Sequence, residues 1–220
     1  MAIGSLDDVS HRYYEYISDG KVDMLLAQVD PGFSSKRAGE VSFDLKVVGG
    51  KRSVERSGPD RYARLERVMR YLDDHGDVGT VDEPGQYFRG ILPMAWGPMR
   101  TEEGSDLLYF GGRSERTIVG LGGSLHHHIG AQPTDCRGTM RSSMPVLLRG
   151  LVEGEDQVPH DDPEALGLVH RANARLGGVT QKLEFVAKRL LHGPSPYPEL
   201  DGGNERWVLL GSPLYVAQAG

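Results

Sequence analysis

The sequence predicts an α+β fold, a curved antiparallel sheet packed by a few helices, and three observations carry that expectation. Strand-like segments rich in aromatic and branched residues dominate the middle and the end of the chain. Their connections are short, which favours antiparallel neighbours over parallel crossovers. Apolar residues at helical spacing occur in a few separate stretches, one of them long and near the C-terminus. At 220 residues the length suits a single domain, 1–220, with room for a real core.

Arg12 to Ile17 (RYYEYI) has strand composition, and Ser18-Asp19-Gly20 supplies turn chemistry after it. Val22, Leu25, Leu26 and Val29 then share one helical face, with Pro31-Gly32 stopping the helix. Residues 41–57 alternate around Gly49-Gly50 and predict a β-hairpin. Ser57 and Pro59 begin a helix whose Tyr62, Leu65, Met69 and Leu72 form a stripe ending at Gly76. Strands are expected at Tyr87 to Leu92, Leu107 to Phe110, Thr117 to Leu121 and Leu125 to Ile129, with Gly120, Gly122 and Gly123 marking a bulge or a close backbone approach. Asp162-Pro163-Glu164 starts a long amphipathic helix running to His192, with Gly177-Gly178 as its weak point. Trp207 to Ala217 closes the fold as a strand interrupted at Gly211-Ser212-Pro213, and the two chain ends are expected to share one sheet.

Composition narrows the function classes. With 25 Lys+Arg against 31 Asp+Glu the net charge is −6 and no basic tract stands out, which argues against nucleic acid as the main partner. No apolar run approaches the ~20 residues that span a bilayer, and Met1 to Ser10 lacks a signal peptide's pattern, so a cytoplasmic protein without a membrane partner is expected. Cys136 is the sole cysteine, which excludes an internal disulfide and a multi-thiolate metal site within one chain. The stretch Gly120 to Ser124 lacks the endings of a phosphate loop and of a dinucleotide fingerprint, so no nucleotide-binding motif is present.

The candidate site centres on His126-His127-His128. On a strand His126 and His128 would face one side, where they could act as an acid/base pair or as two ligands of a divalent metal. A metal would need a third ligand from Asp135, His160, His170 or another carboxylate, and a hydrogen-bonded pair at a strand end is the plainer alternative. Arg89 and Arg141 are placed to orient an anionic group in an apolar, aromatic-lined pocket that includes Trp96. Lys21, beside Asp19 and Asp23, can bind a carboxylate or phosphate, while the same two aspartates also suit a helix start.

The segments YYEYISDGKVDMLLAQV (13–29), YFRGILPMAWG (87–97), VGLGGSLHHHIG (119–130) and WVLLGSPLYVA (207–217) resemble an uncharacterised actinobacterial family of roughly 200-residue proteins. The resemblance implies one full-length domain and a setting in specialised metabolism or defence, and it carries over no catalytic residue. Two functions are therefore expected as alternatives. One is a small-molecule-binding protein, an enzyme if the histidines act chemically on a partly apolar metabolite. The other is a non-catalytic interaction or regulatory module that docks on a partner protein or a second copy through residues 19–29 or the helix 162–192.

Overall fold

The computed structural model describes residues 12–30, 58–100, 106–130, 147–148, 151, 159, 161–199 and 205–220. Their strands are β1 (Tyr13–Ile17), β2 (Val78–Thr80), β3 (Tyr87–Arg100), β4 (Asp106–Arg113), β5 (Thr117–Ser124), β6 (Gln181–Pro194) and β7 (Trp207–Gln218). The helices are α1 (Asp19–Val29), α2 (Gly58–His75) and α3 (Asp162–Arg175), with a single 3-10 turn at Leu125–His127. The hairpin expected at 41–57 lies outside the described residues.

Five strands close on themselves. β3 pairs with β4, β4 with β5, β5 with β7, β7 with β6, and β6 returns to β3. The β5–β7 pairing is parallel and the other four are antiparallel. Closure works because β3, at 14 residues, serves two neighbours: its first half runs along β6 and its second along β4. β1 and β2 extend the ring, β1 antiparallel to the end of β7 and β2 parallel to the start of β3. The two chain ends thus share one sheet, as expected.

Alternation along each strand divides the side chains between interior and exterior. Phe88, Met94, Leu108, Phe110, Val119, Leu121, Leu183, Phe185, Leu209 and Val216 point inward and, with Tyr16, fill the barrel. Outside, α1 and α2 lay Val22, Leu26, Leu65, Val68 and Leu72 over Val186, Leu214 and Tyr215. α3 covers another part of the wall through Leu166, Val169 and Ala172 against Tyr109, Val208 and Leu210.

The glycines of β5 serve this packing. A Cβ on Gly120 would sit 2.8 Å from Val169 Cγ1, one on Gly122 would overlap the Leu147 side chain, and one on Gly123 would lie 2.7 Å from Tyr16 Cζ. Large side chains occupy the room those glycines leave, so Thr117–Ser124 runs as one strand with no bulge.

The elements differ from the sequence expectation at residues 125–127, where a 3-10 turn replaces the strand expected at Leu125 to Ile129, and at residues 176–194. The long C-terminal helix over 162–192 is absent: α3 ends at Arg175, the chain turns at Gly178 with φ +110°, and Gln181–Pro194 is strand β6. The helix stops at Leu176, whose backbone is already extended, and the positive φ at Gly178, which suits glycine, redirects the chain toward the strand. Beyond it Leu183, Phe185 and Ala187 alternate inward, between β3 on one side and β7 on the other. β7 is a single strand through Gly211-Ser212-Pro213 to Gln218, and its register against β6 shifts between Pro213 and Tyr215.

Candidate functional site

Among the described residues, the sequence-predicted side chains fall in two places. The first is the end of the barrel where β5 gives way to the 3-10 turn. Ser124 caps that turn, its hydroxyl accepting the His126 amide, and His128 bridges to Tyr16 of β1. His126 to His128 therefore do not alternate as on a strand. His126 is exposed, whereas His127 and His128 are half-buried and turn toward different partners. His127 Nδ1 stands 3.7 Å from Asp19 Oδ2, and its ring meets Tyr16 edge-on. His128 Nε2 stands 3.9 Å from Glu15 Oε2, and its ring packs on Trp96. Trp96 donates to Gln181 and also contacts Phe110, closing the barrel mouth.

Behind the turn lies an ionic seam between the first two helices. Asp19 and Asp23, one turn apart on α1, meet Arg61 and Arg64 of α2. Arg61 also donates to the carbonyls of Ile17 and His127, so one guanidinium ties α2 to β1 and to the turn. Arg64 is 5 % exposed and reaches Asp19, Asp23 and Asp60. Burial alone would raise the Asp19 carboxyl, but His127, Arg61 and Arg64 outweigh it and hold the group below the usual carboxylate range.

Lys21 belongs to this neighbourhood as a packed residue. Its Nζ donates to Ser18 Oγ at 3.2 Å and to the Pro213 carbonyl of β7 at 3.3 Å. Desolvation, helped by the nearby positive charge of Lys188, lowers its pKa to about 8. The expected anion-binding role thus falls on an amine turned against the barrel wall.

The second place is a cleft of about 190 Å³ on the outer face of β3, β6 and β7, beside α2. Arg89, Ile91, Glu184, Val186 and Tyr215 form its floor, with Met69 and Asp73 of α2 and Arg12 at its rim. Arg89 is ion-paired with Asp73, and Arg12 with Glu184 at 3.1 Å. Tyr215 donates to Glu184 at 2.7 Å, and burial together with that carboxylate pushes the phenol pKa up, so it stays a neutral donor. Of the predicted ligand contacts, Arg89 lines this cleft.

The predicted site is not gathered in one spot. Trp96 and His128 touch at the barrel mouth, Arg89 faces outward from β3, and Lys21 packs under α1. Arg141 lies outside the described residues, as do Asp135 and His160, while His170 packs against Tyr197. Among the described residues no three His, Cys, Asp or Glu side chains converge as a metal-binding set. No described helix is long and apolar enough to cross a membrane.

Comparison with known families bears on the whole of this architecture, because one family model, DUF7019, matches residues 12–220. The chain belongs to DUF7019, a family of unknown function. No curated protein and no solved structure matches it. A DUF7019 match from the first residue of the described barrel region to the last spans both places described above, without choosing between them.

The residues that sequence reasoning passed over are those completing the cleft: Arg12, Asp73, Glu184 and Tyr215. Strand pairing brings Glu184 and Tyr215 to Arg89, their local signal being the polar phase of otherwise apolar strands, while Asp73 arrives on α2 and Arg12 from the residue before β1. Arg61 and Arg64 were passed over as well, and their signal is a helical spacing that matches that of Asp19 and Asp23.

Proposed function

We propose that this protein binds a small, partly apolar metabolite in the cleft over β3 and β6, with Arg89 facing the ligand's anionic group. The observation that carries this reading is the contrast between a barrel filled by aromatic and aliphatic side chains and an open concavity on its outer wall, where Met69, Ile91 and Val186 lie beside charged side chains. Concave sites with a few convergent polar groups on apolar surface are where small ligands bind. Arg89 and Asp73 are each 48 % exposed, and a pair so exposed is worth only about 0–1 kcal/mol, so it yields readily to a ligand. His126 and His128, held on the 3-10 turn, take no part in this reading.

The filled barrel also supports a second reading, a non-catalytic interaction module, since such a protein needs no interior cavity. Native mass spectrometry of untagged protein, purified without chelators, separates the two. Ligand binding predicts a small-molecule mass increment on the wild type that falls in Arg89→Ala. An empty monomer mass, or a retained partner chain with no small molecule, contradicts it.

A further inference from the structure

We infer that the ligand of this cleft is a small zwitterion with an apolar side chain, an α-amino acid being the simplest case; the inference rests on the cleft being a binding site. Its lining holds two cations and two anions, in two pairs: Arg89 with Asp73, and Arg12 with Glu184. The two pairs differ in how firmly they are held. Glu184 also accepts the Tyr215 hydroxyl and is 24 % exposed, whereas among the described residues Arg89 and Asp73 pair with each other alone in the cleft and are half exposed. Arg89–Asp73 is therefore the pair that opens.

An anion entering alone would take Arg89 and leave Asp73 without its partner, and a cation entering alone would do the reverse. Neither keeps the charges balanced, because the charge left unpaired receives nothing in place of its partner while the guest covers part of its solvent. A zwitterion exchanges both contacts together: its carboxylate takes Arg89 and its ammonium takes Asp73. Met69, Ile91 and Val186 supply apolar surface next to that pair, and Ile91 is exposed despite its aliphatic side chain. The volume, about 190 Å³, is below the ~300–1,000 Å³ of pockets for drug-sized ligands, which restricts the guest to a few heavy atoms beyond its charged groups.

The test uses matched probes on the full chain: L-leucine with 4-methylpentanoate and 3-methylbutylamine, and L-phenylalanine with 3-phenylpropanoate and 2-phenylethylamine, titrated by calorimetry and by NMR shifts. The expected result is that at least one amino acid binds wild type at least tenfold more tightly than its own acid and amine. Asp73→Asn should remove the advantage over the acid, and Arg89→Gln the advantage over the amine, with melting temperatures confirming folded variants. An acid or amine that binds as tightly as its amino acid overturns the inference. So does an absence of binding by all six probes at millimolar concentration. If native mass spectrometry then still finds a metabolite that Arg89→Ala loses, the binding reading survives and only the zwitterion is refuted; if it finds none, both fall.

Discussion

Lys21 provides the sharpest quantitative consequence of the packing. Its amine is desolvated against β7, where it donates to the Ser18 hydroxyl and the Pro213 carbonyl, and its pKa falls from 10.5 to about 8. A lysine whose folded pKa is depressed penalises the native state wherever it is charged in both states, below about pH 8. As pH rises toward 10.5 the native state has released the proton and the unfolded state has not, so stability increases through that window. With those two values, linkage gives a gain of about 2 kcal/mol between pH 7 and pH 9.5. Lys21→Met should lack this gain. The assay is urea denaturation of both proteins at the two pH values, read as the change in their difference. Tyrosines whose pKa burial raises, such as Tyr16 and Tyr109, act in the opposite direction above pH 10, but they are common to both proteins and cancel. A difference that stays constant within about 0.5 kcal/mol would show that Lys21 is hydrated, and would return it to the solvent-facing, anion-binding role expected from sequence.

Gly123→Ala should destabilise by about 1–3 kcal/mol in thermal melts, since its Cβ would press on the rigid, fully buried Tyr16 ring; an unchanged melting temperature would show that the interior can give way there. Arg64→Met should cost about 2–3 kcal/mol in denaturant titrations, below the 3–5 of a fully buried pair because its three aspartates keep partial contact with water. Asp19 has a depressed pKa, so its stabilisation is present above the ordinary carboxylate range and disappears as pH falls through the lower folded value. Asp19→Asn should accordingly be less stable than wild type at neutral pH, with the gap narrowing below about pH 4; acid titration of both proteins by circular dichroism checks this.

Much of the fold could be read from residue types and spacing, and the exceptions share a cause. α2 was legible because Tyr62, Leu65, Met69 and Leu72 fit only one period and Gly76 follows. Residues 181–194 fit two: Leu183, Val186 and Leu190 recur at helical spacing, while Leu183, Phe185 and Ala187 alternate as in a strand. Pairing with β3 and β7 decides between them, and those partners are distant in sequence. The histidine cluster misled for a related reason. Alternation assigns faces only while the strand continues, and Ser124 ends β5 just before His126. Arg89 was legible as a polar residue in an apolar strand, but its surroundings come from α2, β6 and the start of the chain. The glycines of β5 signal a close approach in the sequence, and what approaches them is Tyr16, Leu147 and Val169.

The most direct test of where ligand binds is a backbone amide NMR titration of the wild-type protein with whatever small molecule native mass spectrometry finds retained, or with the amino acid that binds best. The account predicts shifts centred on Arg89, Gly90, Ile91 and Val186, with the amides of His126 to His128 unmoved. Shifts confined to the histidine turn and Trp96, with the cleft silent, would contradict it and restore the barrel mouth as the binding site.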